Sequence, residues 1–159
     1  MGDTLIVYRQ KLVSGIEEAG KHLTRLETAF RTLAERYSFP ISDEEFHRLL
    51  ASDVDLAFAD QIIYRFSKAQ DCMGAKLFKA FLLYQGENID RPFLDILTAL
   101  EKIDVLKVDA WFELREIRNE ISHEYEDNGS SGSSILNSIF DHQGQLRRIL
   151  EALQGILDR

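Results

Sequence analysis

Residues 11–37 read KLVSGIEEAGKHLTRLETAFRTLAERY, and the order of apolar residues in this stretch decides the fold. Leu12, Ile16, Ala19, Leu23, Leu26, Phe30, Leu33 and Tyr37 alternate four and three residues apart. That spacing winds a single apolar stripe along one face of a helix, with a period close to that of a coiled coil. Gly15 and Gly20 interrupt the stripe and weaken the helix locally, by up to about 1 kcal/mol each. Pro40 cannot continue it. Ser42 followed by Glu45 is a capping-box signature that opens a short second helix.

Working outward, a second seam runs through Leu56, Ala59, Ile63, Phe66, Gln70, Met73, Leu77, Ala80 and Tyr84. It predicts another long helix from about Asp53 to Gln85. Gly86 to Arg91 forms a turn, and Pro92 suits the first turn of a third helix that ends near Ile103. Asp109 reads as the N-cap of a fourth helix running through Trp111 to about Glu126. Asn128 to Ser134, rich in glycine and serine, reads as a flexible connector too short to separate domains. The last helix carries Leu136, Ile139, Phe140, Leu146, Ile149, Leu150, Leu153 and Leu157. No stretch alternates as a strand, so the expectation is an all-α, antiparallel up-and-down bundle of five or six helices. It forms one domain over residues 1–159, without internal repeats.

Composition narrows the function classes. The 159 residues are 45% hydrophobic and 29% charged, the profile of an ordinary globular domain. Cys72 is the single cysteine, which excludes an intramolecular disulfide and any cysteine-rich zinc site. It reads as a buried small hydrophobe. The histidines at 22, 47, 123 and 142 share no ligand spacing, so neither metal nor cofactor is expected. No phosphate-binding loop, dinucleotide turn or nucleophile elbow occurs. The net charge of −8 argues against a nucleic-acid footprint spread over the whole surface, so any such contact is local. No window approaches the roughly 20 apolar residues that span a bilayer, and the opening residues lack a charged leader with an apolar run. A cytoplasmic protein without membrane contact is expected.

The fourth helix departs from the pattern of core stripe plus solvated face. At roughly 100° per residue, Ala110, Leu114, Ile117 and Ile121 face the bundle, while Glu113, Glu116, Glu120 and Glu124 gather on one flank. Arg115, Arg118, Asn119, Ser122 and His123 fill the remaining sector together with Phe112, a large apolar group pointing outward. Polar groups mixed with an outward aromatic indicate a face that meets something other than water. The plain alternative is a solvated face with a stray phenylalanine. Glutamates four residues apart repel by a few tenths of a kcal/mol per pair. Between Asp109 and Asp127 stand seven acids and two arginines, −5 of the chain's −8, which opposes a wide RNA-binding surface beside this helix.

Residues 116–125 read EIRNEISHEY, in which Arg118, His123 and Tyr125 form the pattern R-x4-H-x-Y. This resembles the HEPN superfamily of helical proteins, in particular its HepT-like branch, also described as nucleotidyltransferase substrate-binding proteins. The Trp111–Leu114 run before the motif, the dipeptide Arg65-Phe66 and the order of helices from about Leu12 to Leu157 fit the same branch. The resemblance implies a homodimer in which paired R-x4-H helices form a metal-independent RNA-cleaving site. It implies a toxin whose antitoxin is a cognate minimal nucleotidyltransferase, which in some systems transfers AMP to the motif tyrosine, here Tyr125. Arg118 and His123 would be catalytic, Asn119 supporting, and Ser122 a second phosphate donor. In mid-helix, Ser122 more often bonds back to a carbonyl. Apart from the resemblance, Tyr125 reads more readily as a boundary tyrosine with a buried ring and wet hydroxyl.

The residue types suit that chemistry. Histidine, ordinarily near pKa 6.5, moves protons at neutral pH. The planar arginine fork stabilises charge growing on phosphorus. Along one helix Arg118 and His123 sit about 140° apart, an arrangement that makes more sense across a dimer than within one chain. Asp71 and Lys76 fall where the family tends to carry an acid and a lysine, although Ala75 replaces its usual tryptophan. Arg65 matches a polar family position and reads equally well as a surface arginine. Gln70 and Gln143 interrupt apolar seams and are expected to fix helix register. Two further readings remain: a non-catalytic module that docks a nucleotidyltransferase, and a helical adaptor whose outward face is only a dimer contact.

Overall fold

The computed structural model describes residues 2–121 and 129–159, with the side chains of 129–131 outside that description. It is an all-α bundle: α1 (Gly2–Leu33), α2 (Asp43–Leu50), α3 (Asp53–Cys72), a π turn (Met73–Leu77), α4 (Phe78–Tyr84), α5 (Phe93–Lys102), α6 (Val108–Glu120) and α7 (Gly129–Leu157). The stripe expected on α1 is buried along its whole length, from Leu12 to Tyr37. Tyr37 itself lies just past the helix end. Gly15 does not break the helix; there a Cβ would lie 3.1 Å from Leu77 Cδ1, so its lack of a side chain lets the α3–α4 rod approach α1 closely.

Helix α1 runs antiparallel to its main neighbours. Gly15 meets Leu77, His22 meets Arg65 and Arg36 meets Asp55, which orients α1 against α3 and α4. Glu27 meets Arg147 and Phe30 meets Phe140, which orients α7 against α1. Among the described residues there is no strand, and no helix is long and apolar enough to cross a membrane.

Four expectations need correction or refinement, each for a tertiary reason. The second seam is one continuous rod from Asp53 to Tyr84, but at Phe78 the backbone N–H bonds to the carbonyl of Met73, five residues back. That extra residue turns the buried face onward, so Phe78, Phe81 and Leu82 carry the core while Ala80 and Tyr84 are only half-buried. The capping box at Ser42 forms by half. Its hydroxyl accepts from the Glu45 N–H at 3.1 Å, whereas the Glu45 carboxylate accepts from Ser38 N instead of from Ser42.

Asp109 is not the N-cap of α6. Lys107 takes the N-cap and the helix starts two residues earlier, at Val108, whose N–H is accepted by the Glu101 carboxylate of α5 at 3.1 Å. The connector expected over 128–134 is helical from Gly129, and the start of this helix is tied to distant residues. Buried Ser133 donates to Asp43 Oδ1 at 2.5 Å. Asn137, one turn on, accepts from Ile41 N at 2.7 Å and donates to its carbonyl at 3.0 Å.

The end of α1 is locked to the start of α3 by Asp55, only 5% exposed, whose carboxylate pairs with Arg36 and accepts from the Tyr37 hydroxyl at 2.6 Å. Burial pushes this carboxyl up, but the bonds from Arg36 and Tyr37 outweigh it and hold it below its ordinary range. A depressed folded-state pKa means that this contribution is complete above the unfolded carboxylate value of about 3.9 and is lost as pH falls through the folded value. In Asp55→Ala the buried tyrosine hydroxyl has no acceptor, so unfolding at pH 7 should become easier by about 1–3 kcal/mol. Denaturant titrations at pH 7 and pH 3 check both points: the gap between wild type and variant should shrink on acidification.

Candidate functional site

The site is built on α6, whose orientation follows from one large side chain. Trp111 is fully buried and packs edge-on against Phe78, with ring centroids 4.8 Å apart and planes at 67°. Its indole rests over Gly74 in the π turn, where a Cβ would lie 3.2 Å from Trp111 Cζ2. Beside it, buried Gln70 donates from Nε2 to the Leu114 carbonyl at 2.7 Å, which pins α6 to α3 and bears out its expected role in register. Gln143 donates to the carbonyl of Phe140 within its own helix, at 3.4 Å.

With Trp111, Leu114 and Ile117 facing inward, the rest of the helix must face out. Phe112 is 44% exposed, as its angular position predicted, and Arg115, Asn119, Glu113, Glu116 and Glu120 are exposed around it. Arg118 lies at the edge of this face with its side chain 31% exposed. Its Nε and Nη2 donate to the two carboxylate oxygens of Asp71 at 3.3 and 3.2 Å. A fork held along this edge keeps a fixed plane and directs its Nη1 edge away from Asp71.

Between the π turn, α5 and α6 opens a cleft of about 590 Å³, floored by Gly74 and Trp111, with Phe93 and Phe112 on its apolar walls and Arg115 and Asn119 at its polar rim. Aromatic surface beside a cation can hold a planar ring and an anion together. Among the described residues no metal-ligand grouping forms on this face.

The structure therefore places Arg118 and Asn119 on one outward face beside a cleft. Ser122, His123 and Tyr125 lie outside the described residues, as does the expected end of the helix near Glu126. Lys76 and Arg65 do not join Arg118. Lys76 lines a separate cleft beside α1, and Arg65 donates to the His22 ring of α1 at 2.9 Å while its guanidinium sits over Tyr64. Asp71 is the residue that a motif reading alone passes over. It stands 47 positions from Arg118, and only its place in the resembled family pointed to it.

The chain matches no protein-family model, no curated protein and no solved structure.

Both members of the Arg118–Asp71 pair are well over a quarter exposed, and such pairs contribute only about 0–1 kcal/mol once solvent screening is counted. Arg118→Ala and Asp71→Ala should each keep a thermal midpoint within a few degrees of wild type, measured by circular dichroism. A large loss of stability in either variant would make the pair a structural clamp and remove it from the candidate site.

Proposed function

We propose that the chain is a HEPN-type, metal-independent endoribonuclease that acts as a homodimer and serves as the toxin of a toxin–antitoxin pair. One observation carries the reading: Arg118 is held by Asp71, which itself lines an aromatic-walled cleft, on a helix whose exposed face also turns Phe112 outward. A guanidinium so positioned can meet a phosphodiester while a neighbouring base stacks on the phenylalanine. Metal-free cleavage also needs a proton carrier, and the pattern R-x4-H assigns that task to His123.

In the proposed reaction the 2′-oxygen attacks phosphorus and a P–O2′ bond forms. The 2′-hydroxyl proton passes to a base, and the P–O5′ bond breaks. A proton returned to O5′ completes the step, which leaves a 2′,3′-cyclic phosphate. Arg118 offsets charge on the equatorial oxygens, and Asp71 acts through it as a positioning residue. Asn119 and Ser122 are proposed phosphate contacts. Tyr125 is the proposed acceptor of AMP, transferred by a cognate minimal nucleotidyltransferase that silences the toxin. Pairing two such helices brings one protomer's Arg118 towards its partner's copy of the imidazole, which relieves the angular mismatch within one helix.

A second reading rests on the exposed acidic flank Glu113, Glu116 and Glu120. Like charges in that position repel nucleic acid and suit a non-catalytic module that docks a basic surface of a nucleotidyltransferase.

RNA incubated with the purified protein in EDTA separates the two. The nuclease reading expects cleavage products with cyclic phosphate ends, reduced about 100-fold or more by His123→Ala and by Arg118→Ala. Intact RNA in the presence of folded, dimeric wild type contradicts the nuclease and leaves the docking module.

A further inference from the structure

Across α3 from Asp71, three other donor groups converge. Glu18 and His22 stand one helical turn apart on α1, so both present to the same side, and Cys72 closes α3 immediately before the π turn. A carboxylate oxygen, an imidazole nitrogen and the thiol sulfur lie within 4.8 Å of one another. Tetrahedral zinc with bonds of about 2.0–2.3 Å needs its ligand atoms about 3.3–3.8 Å apart, so rotamer-scale adjustments of α1 and α3 side chains close the site. Glu18 also lines a cleft of about 520 Å³ between α1 and the π turn, which supplies an entry path and room for a water as fourth ligand. Thiolate with imidazole selects a zinc-class ion over magnesium or calcium.

The two protonation states pull in opposite directions, the imidazole towards its ligating form and the thiol away from it. Burial and the nearby Arg65 lower the His22 pKa, which favours the neutral, ligating form of the ring. Burial and the Glu18 carboxylate push the Cys72 thiol up to about 11, so it is inert as a free nucleophile. A bound dication would compensate the two negative ligands, and the thiol proton would leave to solvent.

The neighbouring cations oppose the ion, Arg65 most directly. Arg65 Nη1 donates to His22 Nδ1 at 2.9 Å, and a neutral imidazole has a single nitrogen lone pair. An ion at that nitrogen displaces Arg65 directly. An ion at the other nitrogen moves the ring proton to Nδ1, where it would face the guanidinium donors. In both cases Arg65 must withdraw. Its guanidinium already lies 5.2 Å from the centre of the Tyr64 ring, which offers it an alternative resting place. Lys68 shares that ring at 5.7 Å, and Lys76 stands beside the cleft.

We propose that Glu18, His22 and Cys72 bind one zinc-class dication in competition with Arg65, tying α1 to the C-terminal end of α3. This site is independent of the nuclease reading. The full chain, stripped of metal by a chelator, is titrated with Co²⁺ and followed by absorption. Expected is one equivalent bound, with a near-ultraviolet thiolate-to-cobalt band and visible bands of a tetrahedral site, both removed by excess Zn²⁺. Cys72→Ser should abolish the thiolate band. Glu18→Gln, at an exposed position that leaves folding intact, and His22→Ala should each weaken binding by about tenfold or more. Arg65→Met should strengthen it by about tenfold, because a like charge next to the ion is removed. The proposal is overturned if wild type shows no thiolate band, if both Glu18→Gln and His22→Ala bind as wild type does, or if Arg65→Met fails to tighten binding.

Discussion

The seating of Trp111 over Gly74 is the contact on which the functional face depends. A helix presents every side at once, and only its deepest side chain decides which residues reach solvent. Here the indole enters a notch that exists because the π turn carries a glycine, and Phe78 closes the notch edge-on. Gln70 adds one directed bond to the Leu114 carbonyl. Among the described residues, neither Trp111 Nε1 nor Gln70 Oε1 has a hydrogen-bond partner, so packing and not polar matching dominates the seat. With Trp111 inside, Phe112 and Arg115 must point out and Arg118 falls beside Asp71. The chemistry proposed for α6 thus depends on a packing choice made at residue 111.

The π turn serves both sides of the same rod. Gly74, within it, receives α6, while Cys72, just before it, faces Glu18 and His22 of α1. Asp71 and Cys72 are adjacent in sequence yet serve different neighbours, the first reaching Arg118 and the second α1. A wide turn of this kind breaks the regular bonding ladder, and such turns recur at functional positions in helical proteins.

How legible these features were in the sequence depended on how local their causes are. The α1 stripe was readable in full, since every buried residue from Leu12 to Leu33 obeys the helical period within one element. The second seam was readable as far as Leu77 and failed at Ala80 and Tyr84, because the π turn inserts a residue and no local composition announces it. Ser133 misled for a related reason. Serine and glycine suggest a connector, yet the partners of Ser133 and Asn137 are Asp43 and Ile41, 90 and 96 positions away. On α6 the outward Phe112 was visible from helical angles alone, whereas the buried Trp111 was not placed in the core stripe. The Glu18–His22–Cys72 grouping escaped a search by histidine spacing because its third member comes from another helix.

Trp111 is the single tryptophan, so its fluorescence reports directly on the seat. The decisive measurement is emission and acrylamide quenching of wild type beside Gly74→Val, with helix content followed in parallel. Wild type should emit as a buried indole shielded from quencher. In the variant a branched side chain fills the notch, so emission should move to longer wavelength and quenching should rise while helix content persists. Equal emission and equal shielding in the two proteins would show that α6 is oriented by something other than this contact.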